Sequence, residues 1–168
     1  APACAGPTAL ASSALTATGA NVSWMAPANA PANGYDVYVG TTSTAPTASS
    51  TPTYPSVTAT TQAVTGTSGT IYYVWVRSKC SVSENSTWVG PVSFTLLIPP
   101  PANDVCSGAI ALIPGANFAQ NAITTTNVGA TTDGTTSCQN NRGDNVWYTV
   151  VVPASGNITV ETQSVAGS

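Results

Sequence analysis

Residues 69–80 read GTIYYVWVRSKC, and this stretch decides the fold. From Ile71 to Arg77 the side chains alternate with the two-residue period of a β-strand. Tyr72, Val74 and Val76 share one face, which is predicted to meet a core. Ile71, Tyr73, Trp75 and Arg77 share the other. The strand opens after a GTSG turn signal and ends at a thiol, Cys80.

Working outward, ANVSW (20–24) places Val22 and Trp24 on one face. GYDVYVG (34–40) sets Tyr35, Val37 and Val39 against Asp36 and Tyr38. TQAV (61–64) and GPVSFTLL (90–97) complete a set of short strands punctuated by Pro-, Gly- and Asn-rich turns. That rhythm predicts a β-sandwich. Residues 41–55 lack apolar periodicity, and their prolines exclude a central strand, so a surface loop with a short edge strand is expected there.

The chain has 168 residues, of which only 5 % are charged, and no histidine. Thr, Ser, Ala, Gly, Pro and Val suit strands and turns, while the strong helix formers are nearly absent. Three basic residues make nucleic acid a poor partner. No apolar run is long enough to span a bilayer, so no membrane insertion is expected. Four cysteines in such a chain point to an oxidising compartment, with three pairings open. A zinc site is disfavoured by the lack of histidine and of any Cys-x-x-Cys pair.

IPPPAND (98–104) marks the clearest boundary, because successive prolines favour a stiff extended segment. It divides a first domain (1–97) from a linker (98–103) and a second domain (104–168). In the second, GAIAL, NAITTTNVG, NVWYTVVV and NITVETQ are candidate strands. PASGN (153–157) predicts a hairpin turn that pairs NITVET antiparallel with NVWYTVVV. Four or five strands make a thin sandwich, so this domain is expected to be incomplete.

NVSWMAP, GYDVYVG, GTIYYVWVRSKC and WVGPVSFT together make residues 4–97 resemble a fibronectin type III domain, of the kind found in secreted Bacteroidetes multidomain proteins. The resemblance implies an immunoglobulin-like sandwich with Trp24 in its core and Tyr72 at the tyrosine corner. It departs from the family at TGTSGT, where a Leu-x-Pro-Gly turn is usual. Such domains repeat an early cysteine and one after the sixth strand, which implies a Cys4–Cys80 disulfide. The second domain, with PANDVCSGAIAL, TNVGATTD, SCQNN and DNVWYTVVVPASGNITVET, resembles a partial jelly-roll-like sandwich of the pre-peptidase C-terminal type. Cys106 with Cys138 is expected as its own disulfide, a swapped pairing across the linker being the alternative.

Catalysis has little footing. Without histidine, His-based triads and most general-base schemes fall away. The carboxylates Asp36, Glu84, Asp104, Asp133, Asp144 and Glu161 are scattered over turns and outer faces. No cofactor is expected. Calcium is a minor alternative, with oxygen donors at Asp133, Asn140, Asn141 and Asp144, but their spacing matches no EF-hand loop. RGD at 142–144 is too short a match to carry an integrin reading.

Tyr38, Tyr73 and Trp75 are expected on the solvent side of one sheet, as a platform for sugars or a protein contact. The alternative is cross-strand packing with Arg77 laid over Trp75. The chain is thus expected to be a non-catalytic structural or adhesive module, extracellular or on the cell surface. Its partners would be copies of itself, in a filament, or neighbouring domains of the same protein. A carbohydrate-binding accessory region of a secreted hydrolase is the alternative function, with polysaccharide as partner.

Overall fold

The computed structural model describes residues 4–132 and 144–164. The chain divides into two compact units, Ala1–Ile98 and Pro99–Ser168. Among the described residues, all regular structure is strand apart from one turn of 3-10 helix, Cys106–Gly108.

The first unit is a two-sheet sandwich. Strands β1 (Thr8–Ser13), β2 (Gly19–Met25) and β5 (Thr61–Thr65) form one sheet in the order β1-β2-β5. Strands β3 (Tyr35–Gly40), β4 (Tyr54–Val57), β6 (Ile71–Ser78) and β7 (Val89–Thr95) form the other, in the order β4-β3-β6-β7. Every pairing in these two sheets is antiparallel.

The inward faces follow the alternation of the sequence. Val22 and Trp24 of β2 share one buried core cluster with Val37 of β3, Val74 and Val76 of β6, and Val64, Phe94 and Leu96. Tyr72 is half-buried against the same cluster, and the Trp24 and Tyr35 rings meet edge-on at 5.3 Å. Burial of such side chains contributes roughly 1.5–3 kcal/mol each.

β1 was not foreseen. TALASS offers one large apolar residue, Leu10, so its alternation is faint. The prolines of the 41–55 region sit as their chemistry requires: Pro55 lies in β4, an edge strand, where a missing N–H costs no ladder bond.

β7 carries a bulge. Val74 pairs with Val92 and Val76 with Val89, so Gly90 and Pro91 together face Trp75. Gly90 has φ +137°, and a Cβ there would lie 2.7 Å from the Val74 carbonyl oxygen and 3.0 Å from the Trp75 ring. Only glycine fits this close approach.

The second unit departs from expectation in its strands. GAIAL gives β8 (Ile110–Leu112) and NVWYTVVV gives β9 (Tyr148–Val150), and the two pair in parallel. The stretches 121–129 and 157–163 contain no strand, so the antiparallel pairing of NITVET with NVWYTVVV is not formed. Alternation specifies which face of a segment is apolar but not which edge receives it. Here Ile110 follows in register from a bond between its N–H and the Trp147 carbonyl, 3.1 Å, and β8 takes the position beside β9.

Candidate functional site

The outer face of the four-stranded sheet holds the residues singled out in the sequence. Antiparallel register sets Asp36 opposite Arg77 and Tyr38 opposite Trp75. Arg77 donates to Asp36 Oδ2 through Nε at 3.1 Å and Nη2 at 3.0 Å. The pair is buried, with side chains 8 % and 3 % exposed. The second carboxylate oxygen, Asp36 Oδ1, accepts from the Ser56 N–H at 3.1 Å. Each group thus has its partners, which is the condition for burying charge at tolerable cost.

The cover over this face comes from the segment before β4. Arg77 Nη1 donates to the Ala48 carbonyl and Trp88 Nε1 to the Thr47 carbonyl, both at 2.9 Å. A serine-threonine turn holds those carbonyls in place: Thr47 N–H donates to Ser50 Oγ at 2.9 Å, and Ser50 N–H returns to the Thr47 carbonyl at 3.1 Å. Thr53 Oγ1 accepts from the Val39 N–H at 3.0 Å. The expected surface loop and short edge strand are both present, and hydrogen bonds fasten the loop as a flap over β3 and β6.

The aromatic platform is correspondingly altered. Trp75 is only 1 % exposed and offers no stacking surface to solvent. Tyr38 meets it edge-on at 6.0 Å, Tyr73 lies tilted beside it at 6.3 Å, and the Gly90–Pro91 bulge crosses it. Tyr38 and Tyr73 are half-buried. The cation–π contact exists but with a different ring. The Arg77 guanidinium lies 4.4 Å from the centre of Trp88, and Trp88 packs on Tyr38 at 6.1 Å. Trp88 lies before β7, outside any alternating run, and periodicity gave no reason to place it here. The arrangement fixes a loop; it presents no open acid–base pair.

Cys4 and Cys80 are bonded, with Cα atoms 5.8 Å apart and a sequence separation of 76. Tyr72 Oη accepts from the Thr67 N–H at 2.9 Å, five residues upstream. A Cβ on Gly66 would lie 2.5 Å from the Tyr72 ring, so the altered turn still closes over the tyrosine because glycine stands there.

In the second unit the PAND segment is structural. Asn103 and Asp104 are buried, at 2 % and 7 % exposure. Asn103 exchanges bonds with Trp147: its carbonyl accepts from the Trp147 N–H at 2.8 Å, and its Nδ2 donates to the Trp147 carbonyl at 3.1 Å. Asp104 Oδ1 accepts from the Thr131 N–H at 2.6 Å and Oδ2 from Thr131 Oγ1 at 2.8 Å. Asp144 is exposed, and its carbonyl accepts from Asn127 Nδ2 at 3.3 Å. Cys138, Asp133, Asn140, Asn141 and Arg142 lie outside the described residues, so the Cys106–Cys138 pairing, the calcium set and the RGD stretch are not placed. Among the described residues, no three His, Cys, Asp or Glu side chains gather to hold a metal. No helix among them is long and apolar enough to cross a membrane.

A search of curated proteins found no match. Among solved structures, one titled "Myokine structure" aligns over 58 % of this chain and 100 % of its own, at 20 % identity and a TM-score of 0.44. Residues 102–167 match a T9SS-associated family described as galactose binding domain-like. Domains of that kind are in general non-catalytic accessory modules, and the T9SS association marks a secreted or surface protein in a Bacteroidetes context.

Proposed function

We propose that the chain is a structural or adhesive segment of an exported surface protein, with residues 4–97 forming a fibronectin type III-like spacer. The observation that carries this is the closed outer face of β3 and β6. The polar groups of Asp36 and Arg77 are satisfied by the protein itself, and the flap at 47–53 lies over them. The three-over-four strand order, the Tyr72–Thr67 bond and the Cys4–Cys80 bond support the fibronectin type III reading. In its specific form, copies join into filaments through strand or sheet contacts. Sedimentation and electron microscopy of the purified protein test this. Concentration-dependent polymers are expected, and a monomer at every concentration overturns the filament form.

A second reading is favoured by the family match of residues 102–167: a carbohydrate-binding accessory region beside a catalytic domain. A glycan array separates the two readings, since a spacer retains no polysaccharide.

A further inference from the structure

The two sheets of the first unit differ in charge. Its charged residues are Asp36, Arg77, Lys79 and Glu84, and none of them lies in β1, β2 or β5. An edge strand leaves a row of backbone donors and acceptors unpaired, and natural sheets block such rows with prolines, bulges or charges. The edges here are β1, β5, β4 and β7, and all but β5 carry a block. In β4, Pro55 has no N–H, the Ser56 N–H turns back to Asp36 Oδ1, and Lys79 Nζ sits on Ser56 Oγ at 3.0 Å. β7 carries the Gly90–Pro91 bulge, and beyond it the Leu97 N–H donates to the Thr16 carbonyl at 3.0 Å. β1 is bent by an irregularity between Thr8 and Ala11, with Ala9 at φ 52°.

β5 differs. The Trp24 N–H donates to the Thr60 carbonyl at 3.0 Å, and the Gly66 N–H donates to the Thr18 carbonyl at 2.9 Å. An antiparallel ladder repeats every second residue, so Gln62 and Val64 turn their peptide groups to β2. Thr61, Ala63 and Thr65 turn theirs to the open edge, and all three residues are exposed. Among the described residues, the one bond to these outward groups runs from Gln62 Nε2 to the Ala63 carbonyl at 2.8 Å. A carbonyl oxygen has a second lone pair, so this bond does not close the edge.

We propose that β5 is an interface for a second copy of this chain, which pairs its own β5 antiparallel across a twofold axis at Ala63. Ala63 then faces the partner's Ala63, and Thr61 faces the partner's Thr65. Each facing pair exchanges two backbone bonds, and the Thr–Thr pairs add cross-strand contact. The occupant follows from charge. Self-pairing of an uncharged sheet brings no like charges together, and such an edge offers a charged partner no attraction. The contact rests on the self-association proposed above and gives it a place. Being isologous, it closes a pair, and a polymer requires a second contact.

Sedimentation velocity of the whole chain over a concentration series tests this, and dimers are expected. Thr61→Lys with Thr65→Lys sets like charges opposite each other and should raise the dimer Kd roughly tenfold. Thr61→Lys with Thr65→Glu sets opposite charges on the same rungs and should return it to the wild-type value. Both double variants change exposed positions, and an unchanged circular dichroism spectrum checks their fold. An unchanged Kd in the first double variant overturns the β5 contact and leaves self-association standing. An equal weakening in both overturns the twofold pairing at Ala63. A monomer at every concentration overturns the contact and self-association together.

Discussion

Arg77 shows how much one residue organises in this chain. Its guanidinium meets a carboxylate, a loop carbonyl and an indole face at once. Removing it leaves the Asp36 carboxylate buried beside the Ser56 N–H alone. Arg77→Ala should therefore cost roughly 3–5 kcal/mol, read from the denaturant midpoint. Asp36→Leu combined with Arg77→Met should cost less than Arg77→Ala, because no uncompensated charge remains. Tyr35 makes a second residue-scale prediction. Burial raises its phenol above the ordinary value of about 10. The unfolded chain then loses this proton at lower pH than the folded one. The folded state holds more protons in that window, so stability is full below about pH 10 and falls as pH rises through the folded pKa. Tyr35→Phe should flatten that alkaline fall in stability-versus-pH measurements. Neither effect was legible in the sequence as an interaction. Alternation placed Asp36 and Arg77 on outward faces, and only the strand register sets them opposite each other.

At the scale of the element, the sequence was most informative where alternation is strong and the partner is close. The opening stretch became β6 with Tyr72, Val74 and Val76 turned to the core, in one cluster with Val22 and Trp24 of β2 and Val37 of β3. It was least informative where cover comes from irregular chain. The flap at 47–53 has no periodicity, yet it fastens Arg77 and Trp88, while Tyr38, Tyr73 and the Gly90–Pro91 bulge close over Trp75, so that Trp75 is interior and not a platform. In the second unit, the alternation of NITVET survives without a strand, because the pattern names no neighbour. The turn before β6 offers a sharper test. Tyr72→Phe keeps the ring over Gly66 but removes the acceptor for the Thr67 N–H. A loss of about 0.5–1.5 kcal/mol is expected by chemical denaturation. No change would mean that water replaces the phenol without cost.

For the whole molecule, the Cys4–Cys80 bond governs how the first unit responds when it is pulled. Force entering at the N-terminal arm reaches Cys80 through a covalent link, so the chain between the cysteines, a sequence separation of 76, carries none of the extension. Only the chain from 81 to 98, including β7, can be drawn out of the first unit. In single-molecule stretching, the oxidised unit should lengthen by about 60 Å, at roughly 3.3–3.6 Å per residue. Reduction should release roughly 250 Å more, as that interval joins the extending chain. Equal lengthening before and after reduction would refute this. An exported segment built in this way is a nearly inextensible link: it transmits tension along its length while most of its sandwich stays folded, and a thiol reductant turns it into a shock absorber.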